Sequence, residues 1–301
     1  MQIVDLHTHV IPGVDDGARD VEEALAALRT LREAGVRTVV ATPHIEATRT
    51  ERPAHLAARL TAIDEAFAEL QDAVRKQGPE VGLERGAEVR LNAPAPDLTD
   101  PRLRLAGTRF VLVEFTGFQI PPYGSGQLEE IREAGWLPVL AHPERYGRLS
   151  RSIEVAARWR EYAYLQVNAG SLVGRYGPEA RSAARQLLER GWVDYLCSDF
   201  HARGRPFLDE ARFRLSGAGV AWPSGAAFAR AGRTADAETG AGDGERTGTE
   251  LELVRLLMAE NPARLLQGRE PLPVPPWPLR RGLAARLRRL LRRRPGTSAG
   301  M

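Results

Sequence analysis

Near the amino end, His7 and His9 stand one residue apart in "VDLHTHVIPGVDDGA", and Asp15 and Asp16 follow in the same stretch. Imidazoles and carboxylates resist burial unless something compensates them. Such a segment is either a wet surface loop or part of a metal site. The rest of the chain bears on the choice. His44 stands in "ATPH", Glu88 in "GAE", Glu114 in "VEF", His142 in "AHPER", and Asp199 with His201 in "SDFH". Of the six histidines, only His55 falls outside this series. Imidazole nitrogens and carboxylate oxygens are the donors that Mn²⁺, Fe²⁺ and Zn²⁺ accept. The candidate ligands are His7, His9, Asp16, His44, Glu88, Glu114, His142, Asp199 and His201. They exceed the roughly four to six positions of one ion. They suit two or three divalent ions, with some carboxylates bridging. Several carboxylates gathered without cations would repel one another.

Two arginines extend the chemistry. Arg145 lies three residues past His142, and Arg205 follows His201 in "GRP". A guanidinium beside a metal cluster is a two-pronged clamp for a phosphoryl group. The plainer alternative is a surface salt bridge, to Glu144 for Arg145 or to Asp209 for Arg205. Metals plus arginine point to phosphoester hydrolysis, in which hydroxide activated by the ions attacks phosphorus in line. Cys197 is the single cysteine, so a disulfide framework and Cys-rich zinc modules are excluded. Arg203 does stand at the C-x5-R spacing of a cysteine phosphatase, but Cys197 sits inside the last strand candidate and reads as a small core residue.

These residues must be brought together by the elements that carry them. Short apolar runs alternate with amphipathic segments, which predicts a parallel α/β architecture. The strand candidates are Ile3–His7, Thr38–Thr42, Leu83–Glu88, Phe110–Phe115, Leu137–His142, Tyr164–Asn168 and Val193–Asp199. Runs such as "FVLVEF" look buried on both faces. Helices are expected at Val21–Ala34, with Asp20 as cap, at Pro53–Gln77, and at Gln127–Ala134, Ile153–Arg160 and Pro178–Arg190. The candidate ligands fall at or near the carboxyl ends of the strand candidates. In a parallel barrel those ends share one face.

"DLHTHVIPGVDDGA", "ATPH", "GAEVRL", "VEFTGF", "AHPERY" and "SDFH" together resemble the PHP (polymerase and histidinol phosphatase) superfamily. More closely they resemble its capsular polysaccharide biosynthesis branch, the manganese-dependent protein-tyrosine phosphatases of bacteria. The resemblance covers Met1 to about Phe207 and resumes at "ELVRLLMAENPARLLQG". It implies a distorted TIM-like (β/α)₇ barrel with a trinuclear metal cluster at its mouth. It places the ligands on the same nine residues, selecting Asp16 over Asp15, and places phosphate contacts on Arg145 and Arg205. Asp199 and His201 then belong to the reacting centre as well as to the ligand set. The implied metal is manganese, although nitrogen and oxygen donors alone also admit iron or zinc. The implied substrate is phosphotyrosine on a membrane-bound bacterial tyrosine kinase that controls capsular or exopolysaccharide export. A small-molecule phosphoesterase such as histidinol phosphatase would share the chemistry. A metal-stabilised interaction module without turnover is the non-enzymatic alternative.

The phosphatase domain is expected to span residues 1–270, interrupted by a Gly-rich flexible insertion over residues 217–249. Asn261 is expected to cap the helix of "NPARLLQG". Residues 271–301 read as a Pro-rich linker and an Arg-rich tail. Leu279–Arg294 holds eight arginines and no acid, so the net charge of +3 conceals a mildly acidic body. Leucines on one helical face of that tail, with Trp277 before them, resemble an interfacial helix, and contact with anionic membrane through residues 277–294 is an expectation. No motif for specific nucleic-acid recognition occurs. The lack of a signal peptide and the lone cysteine suit a cytoplasmic protein, peripheral to the inner face of the membrane if the tail binds lipid. A homo-oligomer is compatible with the chain.

Overall fold

A computed structural model describes residues 1–117, 119–216 and 251–277. The Gly-rich insertion and the basic segment after residue 277 lie outside the described residues, as do the expectations attached to them.

The apolar runs form parallel strands. They are β1 (Ile3–Thr8), β2 (Val36–Ala41), β3 (His44–Glu46), β4 (Gly82–Arg85), β5 (Glu88–Leu91), β6 (Phe110–Phe115), β7 (Leu137–Ala141), β8 (Tyr164–Asn168) and β9 (Tyr195–Cys197). One sheet has the order β1-β2-β4 and the other β3-β5-β6-β7-β8-β9. Between β1 and the chain just past β9 there is a parallel bridge, Thr8 with Phe200. It is flanked by Asp199 N donating to His7 O at 3.0 Å and His9 N donating to Phe200 O at 2.9 Å.

Helices connect the strands. They are α1 (Val21–Glu33), α2 (Pro53–Gln77), α3 (Gly124–Glu133), α4 (Val155–Tyr162), α5 (Ala169–Val173), α6 (Gly177–Glu189), α7 (Leu208–Leu215) and α8 (Asn261–Leu266). Asp20 caps α1 as expected, its side chain accepting from Glu23 N. The apolar stripe Leu25, Leu28 and Leu31 of α1 is buried, as are Leu56, Leu60, Ile63 and Leu70 of α2. Most of the core lies between strands and helices. A second cluster takes alternate residues from β1 (Val4, Leu6), β6 (Phe110, Leu112), β7 (Leu137, Val139, Ala141) and β9 (Tyr195, Cys197). Alternation with a period of two means that these strands turn one face toward a shared interior. Cys197 belongs to that interior, and burial raises its thiol pKa well above the ordinary value.

Two sequence expectations need correction. The strand expected over Leu83–Glu88 is two strands, broken at Gly86 and Ala87. A Cβ on Gly86 would lie 3.0 Å from the Leu105 side chain and 3.2 Å from its Cα, so the chain bends beneath that loop. The neighbouring strand bends in step at Thr42 and Pro43, where proline has no N–H to donate. Backbone bonds from Gly86 N to Ala41 O and from Glu88 N to Pro43 O hold the two bends together. In consequence His44 and Glu88 open β3 and β5, directly opposite each other, instead of ending strands.

Asn261 is not a cap. Its backbone is helical, continuing from a π turn at Leu256–Glu260. Its side chain clasps Leu272 in both directions, Nδ2 to Leu272 O at 3.0 Å and Leu272 N to Oδ1 at 2.8 Å. Residues 271–277 accordingly lie against the body: Val274 is buried, and Trp277 N donates to Leu188 O at the end of α6.

Candidate metal centre

The nine candidate ligands converge. His7 leaves β1, and His9 follows on the loop. His44 and Glu88 come from the bends just described, and Glu114 stands one residue from the end of β6. His142 comes directly after β7 and Asp199 one residue further past the end of β9, both with left-handed backbone, at φ 36 and φ 52. Non-glycine residues adopt that conformation at a cost, and such residues gather at functional sites.

Asp16 arrives on a loop that folds back. Gly13 has φ +70, and a Cβ on Gly17 would overlap the His9 carbonyl. Ala18 N donates to that same carbonyl at 3.0 Å. Arg203 ties the loop from the far side, donating to Gly17 O at 2.8 Å and to Asp16 O at 2.5 Å. The sequence reading assigns Arg203 no such role. Asp15 shapes the loop through Gly17 N, and it also accepts from His9 Nδ1 at 2.7 Å.

Distances define the geometry. His7 Nε2 lies 3.2 Å from His9 Nε2, 3.2 Å from Glu88 Oε2 and 3.3 Å from Asp199 Oδ1. His9 Nε2 lies 3.4 Å and 3.6 Å from the same two oxygens. Donors held about 2.0–2.2 Å from one ion in a tetrahedron are about 3.3–3.6 Å apart, close to these distances, and His7, His9 and Glu88 form one grouping. A second grouping unites His44, Glu88 and Glu114, with His44 Nδ1 3.1 Å from Glu88 Oε2 and 3.7 Å from Glu114 Oε1. A third unites His9, Asp16, His44 and His201. In it Asp16 Oδ1 is 3.5 Å from His44 Nε2 and 3.4 Å from His201 Nε2. His142 Nε2 lies 3.0 Å from Glu88 Oε1 and also groups with His7 and Asp199. His55 is exposed on α2, away from the cluster.

The donor chemistry fits divalent ions. Asp15 can only accept from His9 Nδ1, and the Gln166 carbonyl oxygen sits 2.9 Å from His7 Nδ1. In their neutral forms both rings therefore carry their proton on Nδ1 and aim lone pairs at each other across 3.2 Å. Two facing lone pairs repel unless a cation lies between them. Glu88 Oε2 is buried and has no hydrogen-bond partner. The electrostatics have the same sense. Burial alone would depress the His7 pKa, yet Glu88 and Asp199 outweigh it and raise the value to about 9. His9 is raised against its burial by Asp15 and Glu88. Burial would raise Glu88, but His7, His142 and His44 hold it well below the usual carboxylate range. The cluster binds positive charge, as protons or as metal.

The arginines differ from each other. Arg145 Nη1 donates to Asp199 Oδ2 at 3.0 Å, and its guanidinium lies 4.4 Å from the Tyr176 ring centre. Glu144, the alternative partner, turns away and accepts from Asn168 N and Ser171 Oγ in the interior. Arg205 faces α7, paired with Glu210 at 2.5 Å and 3.9 Å from Asp209. Arg90, which the sequence reading passes over, joins Glu114 to Glu46 at 2.7 and 2.8 Å.

A parallel α/β scaffold with histidines and carboxylates clustered near strand ends has the layout of a metal-dependent hydrolase. The chain belongs to the capsular polysaccharide synthesis family CpsB/CapC, whose family model matches residues 3–215. It is similar to tyrosine-protein phosphatase YwqE of Bacillus subtilis (strain 168), 29% identical over 203 residues, 66% of this chain and 77% of that protein. Tyrosine-protein phosphatase CpsB of Streptococcus pneumoniae is 28% identical over 210 residues, 66% of this chain and 83% of that one. Among solved structures, one from a study of YwqE and CpsB, described as metal-dependent tyrosine phosphatases, superposes with TM-score 0.65. That match has 24% identity and covers 93% of this chain and 100% of the other, a likeness of fold.

Proposed function

We propose that the chain is a divalent-metal-dependent protein-tyrosine phosphatase. Its substrate on this reading is a tyrosine-phosphorylated bacterial kinase that controls capsular or exopolysaccharide synthesis. The observation that carries the reading is that His7 Nε2 and His9 Nε2, buried and 3.2 Å apart, each lie 3.2–3.6 Å from Glu88 Oε2 and from Asp199 Oδ1. The named relatives supply the substrate class.

His7, His9, Glu88 and Asp199 would hold one ion. His44, Glu88 and Glu114, with His142 close to both carboxylates, would hold a second, and His9, Asp16, His44 and His201 the outermost. Manganese is the expected metal, with iron or zinc admitted by the same donors. Bound ions would supply an activated nucleophile and screen the phosphoryl oxygens. The chain's own part is orientation. Arg145, held in plane by Asp199 and Tyr176, would grip two phosphoryl oxygens. Arg205 would have to leave Glu210 to do the same. Asp199 joins the clamp to the buried ion position, and His201, 30% exposed, borders the reacting centre.

We read the two sheets as one distorted (β/α)₇ barrel. Two observations support this: the paired bends that make β2–β3 and β4–β5 two kinked strands, and the bridge from Thr8 to Phe200. The described residues up to Trp277 then act as one body. No helix among the described residues is long and apolar enough to cross a membrane. Peripheral membrane contact at the cytoplasmic face is proposed for the basic segment after Trp277, which is itself packed on the body.

The test pairs metal analysis with turnover. Purified chain should hold two to three divalent ions, and with Mn²⁺ it should hydrolyse a phosphotyrosyl peptide in preference to histidinol phosphate. A preference for histidinol phosphate would replace the substrate class. Metal retention without aryl phosphate hydrolysis would favour the interaction module.

A further inference from the structure

His7 lies at the meeting point of the cluster, and its ring is set from outside. β8 carries Gln166 and Asn168 two residues apart, hence on one face, both fully buried. Asp199 Oδ2 accepts from Asn168 Nδ2 at 2.7 Å and from Arg145 at 3.0 Å. A carboxylate oxygen engaged by a guanidinium requires the Asn168 donor to face it. The Asn168 carbonyl oxygen must then face Gln166, whose Nε2 donates to it at 2.8 Å. That turns the Gln166 carbonyl oxygen toward His7 Nδ1, at 2.9 Å. Reversing either amide would set acceptor against acceptor or donor against donor, so the order runs in one direction from Asp199 to His7.

We propose that Gln166 and Asn168 are positioning residues: an oriented amide relay, anchored on Asp199, that holds the His7 proton on Nδ1 and aims the Nε2 lone pair at the ion position. The proposal rests on the metal-centre reading above. It gives two buried amides a purpose that packing does not supply, since leucine or methionine would fill the same interior without the need to satisfy polar groups. It also links the clamp to the cluster, because Arg145 and Asn168 share the one oxygen that orients the relay. Partners of this kind, fixing the far nitrogen of a ligating imidazole, are worth about 10- to 100-fold in metal affinity.

The test uses the whole chain and Mn²⁺ itself. Gln166→Met keeps the volume and removes the acceptor, and Asn168→Leu removes the anchor while keeping the size. We expect Gln166→Met to weaken Mn²⁺ binding, measured by equilibrium titration, about 10- to 100-fold. The melting temperature of the chelator-treated protein should stay within a few degrees of wild type. Asn168 also touches Asp199 directly, so its own loss is informative only through coupling. Asn168→Leu should cost less affinity in the Gln166→Met background than in wild type, because the relay is already cut. In zinc-loaded protein, the exchange-protected His7 imidazole N–H resonance should shift or vanish in Gln166→Met. Equal costs of Asn168→Leu in both backgrounds, or Mn²⁺ affinity of Gln166→Met within twofold of wild type, would overturn the relay. A wild type that binds no Mn²⁺ sinks the metal-centre reading and the relay with it. A wild type that binds normally isolates any failure to the relay alone.

Discussion

At the scale of residues, the site is a charge balance. His7 is drawn up to about 9 by Glu88 and Asp199 against its own burial. Without ions, its protonated form therefore contributes stability that is complete below the ordinary histidine value of 6.5 and is lost as pH rises through about 9. We expect chelator-treated protein to lose melting temperature between pH 7 and 9.5, and Mn²⁺ to flatten that decline, because an ion replaces the proton. Binding should release protons, measurable by titration in two buffers of different ionisation heat. Arg145→Lys retains the charge but not the planar fork, and we expect kcat/KM on phosphotyrosyl peptide to fall about 10- to 1,000-fold with little change in melting temperature. Arg205→Ala should fall far less, since Arg205 rests on Glu210. At this scale the candidate ligands that converge were legible in the sequence because imidazoles are scarce, with only His55 standing apart. Gln166, Arg90 and Arg203 were not legible. Amides and arginines are common in any sequence, and their roles arise from neighbours distant along the chain.

At the scale of elements, backbone conformation does the aiming. Gly17 abuts the His9 carbonyl, so Gly17→Ala should displace the loop that presents Asp16. We expect that variant to lose the most exposed ion position first, seen as about one fewer Mn²⁺ per chain with the inner positions retained. Arg203→Ala releases the same loop more gently and should raise the Mn²⁺ requirement without unfolding the protein. Strand existence was readable from runs such as "FVLVEF", because burial on both faces leaves no polar alternation. The bends at Pro43 and Gly86 were not. Apolar patterning is indifferent to a change of direction, and the cause at Gly86 is Leu105, nineteen positions away by the numbering. Asn261 failed as a cap for a similar reason. A local rule names the residue, but its partners Leu272 and Asp194 are brought by the fold.

At the scale of the whole molecule, parallel α/β architecture followed from alternation alone, and the family match over residues 3–215 is consistent with it. One buried group weakens the body. Asp194 is pushed up to about 6 by burial, against the bond from Leu165 N and the nearby Arg160. Its folded-state contribution is present below the ordinary aspartate value of 3.8 and is lost as pH rises through about 6. Asp194→Asn keeps an acceptor for Leu165 N and should raise the melting temperature at pH 7.5 by about 2–4 °C per kcal/mol gained, with no such gain at pH 4. Differential scanning calorimetry at both values reads the difference.

The seam between Thr8 and Phe200 has a consequence for biosynthesis. A ribosome releases the chain from the amino end, so His7 and His9 emerge almost two hundred residues ahead of Asp199 and the strand edge that receives β1. Throughout that interval β1 has its β2 neighbour but no closing edge, and the buried donor cluster lacks Asp199 and His201. A metal ion held by these donors would therefore be acquired late, after assembly, and a chain truncated before Asp199 would not complete the site.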